Sequence, residues 1–198
     1  MSTTTAAVGF TVKSGWAAAV LVSGTAAAPR VSDSRIIELS DPNVPETRQP
    51  YHAGFGTARK AGRELSRLLD LVRHRGTQSV SATIAAYRDG HRLAGAALVV
   101  GSTIDPDGIA NEHIRIHALE GRLFRSVIED VVTKSGFACR VWRQRDLYAL
   151  AAQSLKVPEQ ELRNALVELR PAGRAPWRAE QKDATLAAWL VISTTGRS

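Results

Sequence analysis

A chain of 198 residues, 44% hydrophobic and 23% charged with a formal net charge of +7, has the length of one domain. It can bury a core without disulfide or metal staples, and its lone Cys139 excludes both an intrachain disulfide framework and a paired-cysteine zinc site. No apolar run approaches the roughly 18 residues of a membrane span, and the start MSTTTAAVGF lacks the basic head of a secretory signal, so a single cytoplasmic domain over 1–198 is expected.

The first 40 residues read as β-structure. Val8 to Lys13 and Trp16 to Val22 are short runs parted by Ser14-Gly15, a hairpin signal. A third strand is expected over Arg30 to Leu39, where imperfect alternation suits an edge. Residues 41–52, with Pro42, Pro45 and Pro50, read as an irregular loop.

Apolar residues Ala58, Ala61, Leu65, Leu68, Leu69 and Val72 then recur at helical spacing, predicting a helix over 56–75. Residues 51–100 hold eight bases against three acids, the largest share of the net charge. Arg59, Arg63 and Arg67 stand at i, i+4 on one face of that helix. The stripe could follow nucleic-acid phosphates or simply be a solvated face. No aromatic residues interleave with it, so a stacking platform for single strands is not supported.

A second helix is expected over 77–90, bounded by Gly76 and Gly90, then a buried strand over Leu93 to Val100. A loop with Asp105 and Asp107 leads to a helix from about Glu112 to Thr133, and Ala138 to Trp142 reads as a short strand containing Cys139. Helices over 144–154, 158–169 and 177–192 complete the chain, with Pro158, Pro171 and Pro176 between them. The order points to an α/β domain, a mixed sheet of three antiparallel strands followed by crossover strands and covered by helices. Neither a dinucleotide fingerprint nor a Walker loop is present.

Two helices carry ionisable groups where apolar ones are expected. Phe124, Val127, Ile128 and Val131 mark the core face of the helix 112–133, and Glu120, His117 and His113 continue it toward the start. Ala184, Ala187, Leu190 and Val191 mark the core face of the last helix, continued by Asp183 and Glu180. Buried charge is costly unless paired, and ligands of open α/β sheets bind in the crevice beyond the strand ends. Three readings follow. His113 and His117 at i, i+4 could grip a metal with Glu120 as a third ligand. Glu180 and Asp183 could hold Mg²⁺. Alternatively, these groups pair with Arg115, Arg122, Arg178 and Lys182 and have no ligand.

The element order resembles the ribonuclease-H-like superfamily, especially its Holliday-junction-resolvase branch. Val12-Lys13-Ser14-Gly15-Trp16-Ala17 looks like that branch's first turn, and Lys182-Asp183-Ala184-Thr185-Leu186-Ala187-Ala188-Trp189 like its final helix. The resemblance implies a ribonuclease-H-like mixed sheet. It also implies two Mg²⁺ ions held by acids on the first strand, the fourth strand and the last helix, on either side of a scissile phosphate. Here the first position carries Lys13, the strand ending near Gly101 holds no acid, and Asp183 with Glu180 fills only the last. The expectation is a degenerate member that binds nucleic acid or a protein partner without cleaving. The alternatives are a metal-dependent hydrolase or nuclease built on Lys13, His117, Glu120 and Asp183, or a protein-interaction subunit without a ligand.

Overall fold

A computed structural model of the chain describes residues 4–54, 56–171 and 177–195. Five strands form the main sheet: β1 (Thr4–Lys13), β2 (Trp16–Gly24), β3 (Pro29–Glu38), β6 (His91–Val100) and β7 (Cys139–Arg143). Their spatial order is β3-β2-β1-β6-β7. The first three are antiparallel, and β6 and β7 add in parallel to β1 through helical crossovers. Two short strands, β4 (His52–Gly54) and β5 (Thr57–Ala58), make a separate hairpin. Helices α1 (Arg63–Arg88) and α2 (Glu112–Lys134) cover one face; α3 (Leu147–Leu155), α4 (Glu159–Glu168) and α5 (Ala179–Thr195) cover the other.

The central strands are buried on both faces, so they read as near-continuous apolar runs. Alternation along β1 sends Ala6, Val8, Phe10 and Val12 toward α1 and α2, and Ala7 toward α5. Small residues set how close α5 comes. A Cβ on Gly9 would lie 1.8 Å from the carbonyl oxygen of Ala184, so only glycine lets the helix backbone rest on the strand. From Asp183 to Ser193 every residue of α5 is buried, because the helix lies between the sheet and α3 and α4. A helix buried all round needs no polar face.

Two expectations in the 56–90 segment are corrected. The helix begins at Arg63, not at 56, because His52–Gly54 and Thr57–Ala58 pair as the β4–β5 hairpin. It then runs unbroken through Gly76, which is a crossing point: its Cβ would fall 2.6 Å from Cγ1 of Val127 on α2. The absent side chain lets two helices meet. It does not end one.

Candidate functional site

The C-terminal ends of β1 and β6 open on a crevice floored by Val12, Val100 and Gly101 and walled by the outward face of α2. Lys13 and His117 both line it. The crevice lies between two polar clusters, one at the start of each helix that carries ionisable groups on its core face.

The first cluster belongs to α5. Close packing of α5 on β1 brings Glu180 beside the end of the strand, and Lys13 Nζ stands 3.9 Å from Glu180 Oε1. Asp183, one turn deeper, is 4% exposed. It accepts a hydrogen bond from Gln144 Nε2 at 2.7 Å and another from the Tyr148 hydroxyl. Burial pushes its carboxyl above the usual range; the bonds from Gln144 and Tyr148 and the Lys13 ammonium oppose that shift. Burial, with Asp183 adding to it, pushes the Tyr148 phenol up to about 12. Gln144 and Tyr148 follow β7, and no spacing in the sequence ties them to Asp183.

The second cluster lies at the start of α2, on the opposite face of the sheet. Asn111 caps the helix, its side chain accepting from the Ile114 amide. The buried stripe runs through Ile116 and Glu120, whereas His113 and His117 are exposed beside it. That corrects the expectation that both histidines face the core: the apolar face drifts around the helix axis toward its start. A third imidazole arrives from the loop read as irregular. His52 opens β4, and its ring centroid lies 4.9 Å from that of His117 and 6.4 Å from that of His113; the last two are 4.6 Å apart. One nitrogen from each of the three lies within 4.8 Å of the others. Behind them His52 Nδ1 meets Glu120 Oε1 at 2.8 Å. Burial raises the Glu120 carboxyl above its ordinary range, opposed by His52 and by the Tyr51 amide. Burial and the two neighbouring imidazoles depress His117.

His113, His117 and Glu120 therefore lie on the α2 side of the sheet and Glu180 and Asp183 on the α5 side, with Lys13 between them. The arginine stripe divides too. Arg63 and Arg67 are exposed on the first turns of α1. Arg59 precedes the helix and is largely covered: it donates from Nε to Pro50 O at 3.0 Å and from Nη2 to His52 O at 3.0 Å, and pairs with Glu64. Arg59 holds the strand that carries His52. It does not share a face with Arg63.

A sheet of three antiparallel strands extended by two parallel ones, with its last helix lying on the first strand, decides the architecture. The chain has the RuvC-type ribonuclease-H-like fold. Superposition on the Thermus thermophilus RuvC structure gives a TM-score of 0.56 over 96% of each chain at 12% identity. The T. thermophilus RuvC in complex with a Holliday junction substrate gives 0.56 at 11% identity, over 94% of this chain and 91% of that one. No family profile matches the sequence, and no curated protein does. Against the RuvC-like frame, the two-Mg²⁺ set implied by the sequence resemblance does not fit these residues. An ammonium stands at the end of the first strand, 3.9 Å from Glu180, and Asp183 is engaged by neutral donors. None of the described helices is long and apolar enough to cross a membrane.

Proposed function

We propose that the protein is a RuvC-like nucleic-acid-binding domain that does not cleave through a two-metal centre. The observation that carries this reading is the Lys13–Glu180 pair at the end of β1. A lysine there puts positive charge where a divalent cation would have to sit, and it faces the crevice together with Arg122. Anionic backbone is the ligand such a crevice favours, because each phosphate contact releases condensed counterions. Arg63 and Arg67 extend the basic surface along α1. That a RuvC of the same fold was captured on a Holliday junction supports branched DNA as the first ligand to try.

The test is fluorescence anisotropy with a labelled four-way junction, a duplex and a single strand, between 25 and 200 mM salt, with a Mg²⁺ cleavage assay alongside. The expected result is binding that falls steeply with salt, weakened by Arg63→Ala with Arg67→Ala and by Lys13→Ala, and no cleavage. Binding absent at low salt, or Mg²⁺-dependent cleavage abolished by Asp183→Asn, overturns the reading.

The histidine cluster favours a second reading, a metal-dependent hydrolase acting at the α2 side of the same crevice. Turnover of a phosphodiester or ester that requires Zn²⁺ or Mn²⁺ and is lost in His117→Ala would replace the first reading with this one.

A further inference from the structure

The β4–β5 hairpin is fastened to α2 by the contact of His52 with the buried Glu120. His52 is the centre of that attachment. We propose that His52, His113 and His117 form a binding site for one transition-metal ion of the Zn²⁺ class, with Glu120 orienting His52 from behind and one coordination position left open.

Spacing is the first support. A tetrahedral Zn²⁺ with Zn–N of about 2.0–2.1 Å sets its nitrogens roughly 3.3 Å apart. Here the three nitrogens lie within 4.8 Å, so side-chain rotations of an ångström or so close the set without moving backbone. His113 and His117 are one helical turn apart on the exposed edge of α2, and His52 approaches from a different element. Ligands converging from two elements are what fixes a metal, whereas two exposed histidines on one helix bind only loosely.

Glu120 is the second support, and it is independent of the spacing. Its side chain is 1% exposed, on the buried stripe of α2 where an apolar residue would serve packing better. Its Oε1 takes His52 Nδ1, and its Oε2 has no hydrogen-bond partner among the described residues. A buried carboxylate needs positive charge nearby. A carboxylate bonded to Nδ1 leaves Nε2 of the same ring with its lone pair outward, the tautomer a metal requires, and a metal on that ring returns the charge. Arg59 completes the support by holding His52 O. His113 and His117 are exposed and gain little from burial.

The donor set selects the metal. Three imidazoles suit Zn²⁺, Co²⁺ or Ni²⁺, and suit Mg²⁺ poorly because it prefers oxygen ligands and keeps its waters. Three protein ligands leave a fourth position for water or an anion, on the side of α2 where His117 lines the crevice.

The site does not depend on the nucleic-acid reading, and its test contains no nucleic acid. The full chain, stripped with a chelator, is titrated with Co²⁺ by visible absorption and with Zn²⁺ by calorimetry, and its melting temperature is followed. The expected result is one ion per chain, the intense d–d bands of a low-coordinate Co²⁺ site, and a melting rise of roughly 5–10 °C at a hundredfold excess over Kd. His113→Gln and His117→Gln, exposed substitutions that leave the metal-free fold intact, should each weaken binding at least a hundredfold. Glu120→Gln should weaken it ten- to a hundredfold while keeping the one-to-one ratio. Absence of Co²⁺ bands and of Zn²⁺ heat in the unaltered chain overturns the proposal. So does unchanged affinity in both His113→Gln and His117→Gln, or an equal melting rise with Mg²⁺.

Discussion

Gly9 offers a quantitative test of how α5 is seated. Replacing it with alanine places a methyl carbon 1.8 Å from the Ala184 carbonyl oxygen and 2.6 Å from its carbonyl carbon. Carbon and oxygen tolerate little under about 3.2 Å, so strand and helix must part by roughly 1.5 Å. Both partners are backbone, and neither can swing aside as a side chain would. Overpacking commonly costs about 1–3 kcal/mol, and this geometry belongs at the top of that range. For a chain of this size ~3 kcal/mol lowers the melting temperature by roughly 6–12 °C. Two other glycines calibrate the argument. At Gly76 the added methyl meets Val127 Cγ1 at 2.6 Å, but a gain of about 1 kcal/mol in helix propensity offsets part of that clash. At Gly121 nothing lies within 4 Å, and alanine inside α2 should stabilise by about 0.5–1 kcal/mol. Scanning calorimetry of the three variants should therefore order them Gly9→Ala, Gly76→Ala, unaltered chain, Gly121→Ala, from least to most stable. A Gly9→Ala protein that melts within 2 °C of the unaltered chain would refute the close contact of α5 with β1.

Other consequences can be read with simple assays. Because burial raises Asp183 above its ordinary 3.8, the folded chain holds that proton more tightly than the unfolded one. Stability from this group is then full below about pH 4 and declines as pH rises toward the folded value. The melting difference between Asp183→Asn and the unaltered chain should move in favour of asparagine from pH 4 to 8; a difference independent of pH contradicts this. The Cys139 thiol, pushed up to about 12 by burial and by Glu129, should react with a disulfide reagent at pH 8 roughly a thousandfold more slowly folded than unfolded. Equal rates would place it in solvent. Arg59→Lys keeps the charge but loses the fork that holds Pro50 and His52, so it should lower stability by about 1–3 kcal/mol and leave nucleic-acid affinity nearly unchanged. Arg63→Ala with Arg67→Ala should do the reverse, and a large affinity loss in Arg59→Lys would restore the undivided stripe.

The sheet was legible because its signals are local. Ser14-Gly15 marks a turn, β1 and β2 are apolar throughout, and Pro158, Pro171 and Pro176 punctuate the last helices. Misreadings arose where a residue's meaning depends on what lies opposite it. Gly76 resembles a helix end until Val127 is seen against it, and Arg59 resembles a helix residue until the hairpin before Arg63 is seen. Glu120 and His117 stood out as polar residues in an apolar pattern. His52 did not, because it sits among prolines with no periodicity to violate, 65 residues from His117, the histidine it approaches most closely. That the polar starts of α2 and α5 lie on opposite faces follows from strand order, which periodicity does not encode.

The seating of α5 also governs the order in which the chain can mature during synthesis. The β1–β3 meander, α1 and α2 can assemble as they emerge, since the fully buried part of their shared core ends at Val132, with only Phe137, Cys139 and Val141 added later among the described residues. The other face of the same sheet, with Ala7, Val20, Val22, Ala97 and Val99, finds its cover mainly in residues from Trp142 onward, and chiefly in Ala184 to Ile192. β1 must wait for α5, which is made well after it. During that interval a flat apolar sheet face is open to solvent, and chaperones or aggregation compete for it. Slow translation of the final turns, or ribosome stalling before them, would lengthen that exposure without altering a single contact of the finished fold.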